Sequence, residues 1–259
     1  MKYCLIGKKL GHSYSREIHQ EKGLDYSLVE VDENDVAEFF KNNEYNGFNV
    51  TIPYKKDVIP FMSEISSVAK LAGAVNTIVN KNGKFVGYNT DVDGMKYMLS
   101  RKGVTLKDKN VLILGSGGTS NTAKTLCTIE NAKSVRVVSR NGEINYSNCY
   151  NYQDVEIIIN TTPVGMYPDS GGCAIDLDGF SDLSGITDVV YNPLKTRLSL
   201  SAEDRGIRNV NGLYMLVYQA ILARSLFTGK ELATEELCDE INVYDILTIS
   251  NNEENNIVY

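Results

Sequence analysis

Apolar and polar residues alternate along the first third of the chain in short blocks that predict an α/β fold. Four apolar runs have the length and composition of strands, at 3–6, 26–31, 47–52 and 74–79. Helix-like stretches at 35–41 and 56–64 separate them. Strands that alternate with helices along a chain are typical of α/β domains, so residues 1–91 are predicted to form one such layer.

The middle of the chain carries a second α/β pattern that opens with a glycine-rich turn. An apolar strand at 110–114 leads into GSGG at 115–118, and the small polar residues that follow suit the start of a helix. A β-branched strand at 134–139 completes a β-α-β unit of the length seen in dinucleotide-binding folds. Strands predicted at 155–159 and 186–191 continue a mainly parallel sheet.

Two predicted helices connect these parts and set the domain boundaries. One covers 93–102, and a strongly apolar one covers 212–229 and could pack back on the N-terminal part. We therefore predict a Rossmann-like, doubly wound nucleotide domain at 92–211 and a second domain made of 1–91 and 212–259. The polar end at 251–259 is expected to fray.

Composition narrows the class of protein. The chain has 259 residues, of which 42% are apolar and 23% charged, as in globular proteins. It contains no uninterrupted apolar run of about 18 residues, the length of a membrane-spanning helix, and no signal-peptide core. We therefore expect a soluble, cytoplasmic protein without a membrane partner.

The net charge and the few metal-binding side chains exclude further classes of protein. The chain has 26 basic and 33 acidic side chains, a net charge of -7 and no basic block, so a nucleic-acid partner is not expected. The five cysteines lack C-x-x-C spacing and are predicted to be reduced and mostly structural. With two histidines, His12 and His19, we expect no metal site, and proton transfer would fall to Lys, Asp or Tyr.

The glycine turn and the end of the following strand point to a cofactor. Gly115, Gly117 and Ser120 form a dinucleotide fingerprint with serine at its third position, although an ordinary glycine-rich turn would look the same. An NAD site would place an acidic residue about 20 residues after the turn. This chain instead has Arg140, whose guanidinium could pair with a 2′-phosphate or simply be solvated. The pattern favours NADP.

Polar side chains interrupt several apolar runs. Asn49 and Thr51 share one face of a predicted strand, Asn76 ends another run, and Asp91 lies near the domain boundary. Amides, hydroxyls and a carboxylate suit a ligand rich in hydroxyl groups, although each residue alone could be a cap or turn. At the N-terminus, the serines of GHSYS at 11–15 could cap a helix or bind a carboxylate.

Together these segments resemble the shikimate dehydrogenase family. The resemblance follows the family's order through nearly the whole chain, in GHSYS at 11–15, FNVTIPYKK at 48–56, AGAVNT at 72–77, GYNTDVDG at 87–94, LGSGG at 114–118, SRN at 139–141, NTTPVGM at 160–166, DVVYNP at 188–193 and GLYMLVYQA at 212–220. The family reversibly reduces 3-dehydroshikimate to shikimate with NADPH, on the route to chorismate and the aromatic amino acids.

The resemblance implies roles for individual residues. Lys55 and Asp91 match the family's catalytic pair, in which the lysine handles the proton at the reacting oxygen. The substrate residues implied by the resemblance are Ser13, Ser15, Asn49, Thr51, Lys55, Asn76, Asp91, Tyr191 and Gln219. The cofactor residues implied are Gly115, Ser116, Gly117, Gly118, Ser139, Arg140, Asn141, Thr161, Met166, Gly212 and Met215.

The predicted protein is a two-domain enzyme, monomeric or homodimeric, with its active site in the cleft between the domains. One alternative is a quinate/shikimate dehydrogenase or a related polyol-acid dehydrogenase that uses NAD(P). A less favoured one is a non-catalytic NADP-binding regulator. The chain departs from the family in its first helix, where it has Arg16 and a short segment between His19 and Tyr26, and it has Phe227 where tryptophan is common.

Overall fold

The computed structural model describes residues 1–11, 13–21 and 23–231, which form two compact units. The first unit contains Met1–Thr90 together with the described residues 217–231, and the second contains Asp91–Leu216. Both are built from strands and helices, so the predicted α/β class is confirmed. The predicted polar end at 251–259 lies outside the described residues, as do His12 and Cys238.

Eleven strands are found in the described part of the chain. They are β1 (Lys2–Gly7), β2 (Asp25–Glu30), β3 (Gly47–Val50), β4 (Glu64–Ile65), β5 (Thr77–Lys81), β6 (Lys84–Tyr88), β7 (Asn110–Leu114), β8 (Ser134–Val138), β9 (Ile157–Asn160), β10 (Gly185–Asp188) and β11 (Arg208–Asn211). The α-helices are α1 (Ser15–Glu21), α2 (Val36–Lys41), α3 (Ser67–Ala72), α4 (Thr90–Ser100), α5 (Gly118–Ile129), α6 (Arg197–Asp204) and α7 (Leu213–Thr228).

The first unit contains a six-stranded mixed sheet in the order β2-β1-β3-β5-β6-β4. Strands β1, β2 and β3 are parallel, and β5 runs antiparallel to both β3 and β6. Tyr3 and Leu5 of β1 pack on one face with Phe227 of α7, whereas Cys4 and Ile6 pack on the other face. Because both faces are covered, β1 is a continuous apolar run rather than an alternating one.

The second unit contains a five-stranded parallel sheet in the order β11-β10-β9-β7-β8. Its core includes Leu112, Leu114, Ile158 and Ile186, all fully buried. The chain moves outward from β7 to β8 and then returns to place β9 on the other side of β7. Such a reversal is the usual ligand site of an open α/β sheet, at the carboxyl ends of the strands.

The helix predicted at 56–64 is wrong. A three-residue 3-10 helix, Ile59–Phe61, and the short strand β4 occupy this stretch. Pro60 has no N–H to donate and disfavours the α conformation at Ile59, so an α-helix cannot form across it. The backbone N–H of Ser63 instead donates to the carbonyl of Phe85 at 2.8 Å, which leads the chain onto the edge of β6.

Several other predicted elements form with shifted ends. The helix predicted at 93–102 is α4, which begins at Thr90 and therefore contains Asp91 in its first turn. The strand predicted at 47–52 is β3, which ends at Val50, so Thr51 lies just beyond it. The apolar helix predicted at 212–229 is α7.

Candidate active site

The two N-terminal serines lie at the start of α1. The backbone N–H of Ser13 donates to the carbonyl of Leu10 at 3.0 Å, and the Ser13 Oγ accepts from the N–H of Ser15 at 3.3 Å. Ser13 therefore forms a tight turn that leads into the helix. Both serines are partly exposed.

The segment that carries Lys55 is tied to two neighbouring strands through its backbone. The N–H of Thr51 donates to the carbonyl of Ile6 at 2.9 Å, and the carbonyl of Lys55 accepts from the N–H of Val75 at 2.8 Å. A side chain at Gly7 would lie 2.6 Å from Cγ2 of Thr51, so this position requires glycine. Lys55 itself is partly exposed and thus accessible to a small molecule.

Asn49 and Asn76 meet in a buried hydrogen-bond network. The Asn49 Nδ2 donates to the carbonyl of Asn76 at 3.2 Å and to Oγ1 of Thr77 at 3.0 Å. The Asn76 Oδ1 accepts from the backbone N–H of Thr90 at 2.7 Å, and its Nδ2 donates to Oγ1 of Thr90 at 3.0 Å. This network holds the first residue of α4, and Asp91, which is 9% exposed, is the next residue.

The glycine turn at the end of β7 is shaped for close approach of a ligand. Gly115 has a φ of 99°, which favours glycine, and a side chain there would lie 3.0 Å from both Oγ1 of Thr161 and Cγ2 of Thr162. No side chain caps the start of α5 at Gly117, and side chains added at Gly117 or Gly118 would meet nothing within 4 Å. The open N-terminus of a twelve-residue helix fits a pyrophosphate.

The turn that contains Arg140 lies beside the glycine turn. The N–H of Gly115 donates to the carbonyl of Val138 at 2.8 Å, so the end of β8 is fixed next to it. A tight turn follows, in which the N–H of Gly142 donates to the carbonyl of Ser139 at 3.3 Å. Arg140 and Asn141 are exposed there. Burial raises the pKa of the Tyr146 phenol, and the positive charge of Arg140 partly lowers this pKa.

A second buried network joins the ends of β9 and β10. The Asp188 carboxylate accepts from Nδ2 of Asn160 at 3.0 Å, from the N–H of Val190 at 3.1 Å and from Oγ1 of Thr196 at 2.7 Å. Burial raises the pKa of Asp188, and these three hydrogen bonds oppose that rise. The Asn160 Oδ1 accepts from the N–H of Thr162 at 3.0 Å, which fixes the segment that packs on the glycine turn.

Comparison with known proteins identifies the family. The model of the shikimate dehydrogenase substrate binding domain matches residues 5–78, inside the first unit. A "Shikimate dehydrogenase (NADP(+))" of Clostridium perfringens (strain 13 / Type A) is 37% identical, and the match covers 92% of this chain and 97% of the relative. The chain belongs to the shikimate dehydrogenase family.

Solved structures of shikimate dehydrogenases share the fold. A chorismate mutase/shikimate 5-dehydrogenase fusion protein from Clostridium acetobutylicum has a TM-score of 0.88 and 36% identity, covering 97% of this chain and 98% of that one. A shikimate 5-dehydrogenase from Thermus thermophilus, in complex with NADP(H) and shikimate, has a TM-score of 0.81 and 25% identity, covering 92% of this chain and 97% of that one.

The predicted site residues of this family member fall into two groups, one in each unit. The predicted cofactor residues all lie in the second unit, together with Asp91 and Tyr191, and the remaining predicted substrate residues lie in the first.

Gly212 lies where a side chain would be 2.0 Å from the carbonyl oxygen of Val189, so α7 begins in close contact with the end of β10. Met166 is 45% exposed.

Sequence reasoning missed several residues that form hydrogen bonds with the predicted site residues or with neighbouring residues in the same unit. Thr77 and Thr90 lie inside motifs that resemble the family, so those motifs did contain a signal for them. Asp188 also lies in such a motif, but its contact with Thr196 depends on the fold. Within the described residues, no group of three or more His, Cys, Asp or Glu could hold a metal ion. None of the described helices has the length and apolar character to span a membrane.

Proposed function

We propose that this chain is an NADP-dependent shikimate dehydrogenase, which reversibly reduces 3-dehydroshikimate to shikimate on the route to chorismate and the aromatic amino acids. The observation that carries the proposal is the similarity to the Clostridium perfringens relative, which covers 92% of the chain and so extends over both units. A similarity confined to one unit would support a binding domain alone.

The proposed proton transfer belongs to Lys55, with Asp91 as its partner. When bound, NADPH supplies the hydride that reduces the ketone of 3-dehydroshikimate. The ketone oxygen gains negative charge in that step, and an ammonium group both stabilises this charge and donates a proton. In the oxidation of shikimate, Lys55 accepts the proton. The Asp91 carboxylate, at the start of α4, would accept a hydrogen bond from a substrate hydroxyl.

The remaining substrate contacts follow from the chemistry of the side chains. We assign the substrate carboxylate to Ser13 and Ser15, which are partly exposed at the start of α1, together with Tyr191. We assign the ring hydroxyls to Thr51, Asn76 and Gln219. Asn49 is predicted to share this role, and because both of its N–H groups are hydrogen-bonded within the first unit, its oxygen would accept from a hydroxyl.

The cofactor residues support NADP rather than NAD. We assign the pyrophosphate to residues 115–118, because the start of α5 is open and uncapped. We assign the 2′-phosphate to Ser139, Arg140 and Asn141, which form the turn next to it. Thr161, Met166, Gly212 and Met215 would line the nicotinamide side. The first unit, with the chain from Val217 onward, is thus proposed to bind substrate and the second unit to bind NADP.

Measuring the formation of the reduced cofactor at 340 nm tests the proposal directly. Shikimate and quinate are each supplied with NADP⁺ and, separately, with NAD⁺. We expect rapid turnover with shikimate and NADP⁺ only. Turnover of quinate, or a preference for NAD⁺, would favour the polyol-acid dehydrogenase alternative. Arg140 argues against the NAD-dependent version of that alternative.

Binding of NADP⁺ without turnover of either acid would favour the non-catalytic regulator. The presence of both Lys55 and Asp91 argues against this function. A monomer or a homodimer is proposed, and light scattering after size-exclusion chromatography distinguishes the two. The cytoplasmic location stays a prediction.

A further inference from the structure

The side-chain amide of Asn49 makes three hydrogen bonds within the first unit. Its Nδ2 donates to the carbonyl of Asn76 and to Oγ1 of Thr77. Its Oδ1 accepts from the hydroxyl of Tyr26 at 2.7 Å. A primary amide has two N–H donors and two acceptor lone pairs. Asn49 is 5% exposed, both of its N–H groups are occupied, and the Tyr26 hydroxyl occupies one of the two lone pairs on its oxygen.

Tyr26 and His19 form a rigid support behind this amide. Tyr26 is 1% exposed and His19 is 2% exposed, and their rings stack with centroids 4.2 Å apart at an angle of 23°. The ring of Phe227 packs against His19 at 6.0 Å. Because the Tyr26 hydroxyl can donate only one hydrogen bond, it fixes the side of the Asn49 amide that carries oxygen. The opposite side must then donate toward Asn76 and Thr77.

The orientation of Asn49 is passed on through neighbouring hydrogen bonds. The Thr77 hydroxyl, which accepts from Asn49, donates to Oδ1 of Asn76 at 3.1 Å. That same oxygen accepts the N–H of Thr90, the first residue of α4. All of these residues belong to the first unit. An unbroken series of buried hydrogen bonds thus runs from Tyr26 to the residue before Asp91.

We propose that Tyr26 is a positioning residue of the substrate site and that Asn49 acts as its relay. The hydroxyl of Tyr26 sets the orientation of the Asn49 amide, and Asn49 in turn sets the Asn76 side chain and the beginning of α4. This inference rests on the proposed function, because Asn76 and Asp91 are substrate residues only in that function.

The test compares the full-length wild-type protein with Tyr26→Phe, which removes one hydroxyl and no ring. Removing one donor from a buried acceptor is expected to lower kcat/KM for shikimate by about tenfold, mainly through a higher KM for shikimate. The KM for NADP⁺ is expected to stay within about twofold of wild type, because the network lies in the first unit alone. A purely structural role would change the KM for shikimate and the KM for NADP⁺ together.

Tyr3→Phe is the matched control. Tyr3 lies in the same sheet, is 2% exposed and donates its hydroxyl to the carbonyl of Phe227 at 3.3 Å, outside the network. It should lower thermal stability about as much as Tyr26→Phe and leave kcat/KM for shikimate unchanged. The proposal is overturned if Tyr26→Phe lowers kcat/KM no more than Tyr3→Phe, or if it raises both KM values together.

A second variant, Thr77→Val, keeps the branched shape of the side chain and removes the hydroxyl that accepts from Asn49 and donates to Asn76. It should show the same separation of the two KM values and provides the test if Tyr26→Phe does not fold. Failure of both variants to fold would assign the two side chains to stability alone and overturn the proposal. A wild type that does not oxidise shikimate contradicts the proposed function and this inference with it. An active wild type matched by both variants contradicts only the inference.

Discussion

Two side chains decide whether the proposed reaction can occur and with which cofactor. Lys55 lies in a turn whose backbone is bonded to the entry of β5, and Arg140 lies in a turn fixed beside the glycine turn. Both are therefore presented by rigid elements although neither is buried. Rigid presentation of an accessible side chain is what a reacting or binding group needs.

Replacing Lys55 by alanine should remove proton transfer while leaving the fold intact. We expect kcat for shikimate oxidation to fall by about 10²- to 10⁴-fold, the usual contribution of a general acid or base. The Kd for NADP⁺, measured by calorimetry, should stay unchanged because the cofactor residues lie in the second unit.

Lys56→Ala is the control for this variant, because Lys56 is the exposed neighbour in the same turn. It should retain wild-type kcat. Equal activity of Lys55→Ala and wild type would refute the assignment of the proton to Lys55.

Arg140→Gln should weaken NADP⁺ selectively. Loss of a charge-assisted contact with the 2′-phosphate should raise the KM for NADP⁺ by about tenfold or more and leave the weak use of NAD⁺ unchanged. Arg136→Gln is the control, since Arg136 lies in β8, the strand that leads to the Arg140 turn, and binds Asp154 at 2.9 and 3.1 Å. An equal rise in KM for both cofactors would contradict the predicted phosphate contact.

Helix α1 has seven residues, too few to be stable alone, and depends on its contact with the sheet. His19 makes this contact, and its burial lowers its pKa to about 3, with a further lowering by the charge of Arg224. His19 is therefore neutral in the folded protein, whereas in the unfolded chain it takes up a proton below pH 6.5. Stability should fall as the pH drops from 6.5 toward 3.

The predicted size of this effect is about 1.4 kcal/mol per pH unit below 6.5, or about 2 kcal/mol at pH 5. Urea unfolding of wild type and His19→Phe at pH 7 and pH 5 measures it. The variant should lose about 2 kcal/mol less than wild type over this interval. The raised pKa of Asp188 and the lowered pKa of Glu156 are common to both proteins and cancel in the comparison. Parallel pH dependences would show that His19 is not held neutral.

The junction between β10 and α7 depends on one glycine. A side chain at Gly212 would lie 2.0 Å from the carbonyl oxygen of Val189, and this backbone cannot yield without moving the end of β10. Gly212→Ala should therefore lower the free energy of unfolding by about 1–3 kcal/mol. Gly171→Ala, where an added side chain meets nothing within 4 Å, should change it by less than about 0.5 kcal/mol. Equal stabilities of the two variants would contradict this account of the junction.

The sequence predicted elements well where a single local signal dominated. The strand, glycine turn and helix at β7 and α5 were predicted because apolar run, glycines and helix start follow one another directly. The helix predicted at 56–64 is wrong because Pro60 interrupts it. The elements β4, β6, α3, α6 and β11 were not predicted, and β4 has only two residues, too few to show any periodicity.

The residues of the candidate site could be predicted from the sequence, but the hydrogen bonds between them could not. The motifs placed Asn49, Asn76 and Asp91 near one another, yet gave no indication that the Asn49 amide is bonded to Tyr26 and Thr77. These partners are 23 and 28 residues away, so the fold rather than local spacing brings them together.

At the scale of the whole molecule, the two units should respond to different ligands. Hydrogen exchange followed by mass spectrometry should show slower exchange in 110–118 and 134–141 when NADP⁺ is added. Shikimate should instead slow exchange in 47–55 and 74–77. These regions carry the proposed contacts in the second and first unit respectively. Protection of 47–55 by NADP⁺ alone would contradict the assignment of ligands to units.

Because all strands of the second sheet are parallel, the two ends of its strands have different roles. All five strands direct their carboxyl ends to the edge that carries the glycine turn and Arg140. The connection between α5 and β8 lies at the amino end of β8, where Asn131 and Lys133 are exposed. A label attached to the exposed side chain of Lys133 would therefore lie at the end of this sheet opposite to the proposed phosphate contacts, so it could be added without touching the residues proposed to bind NADP.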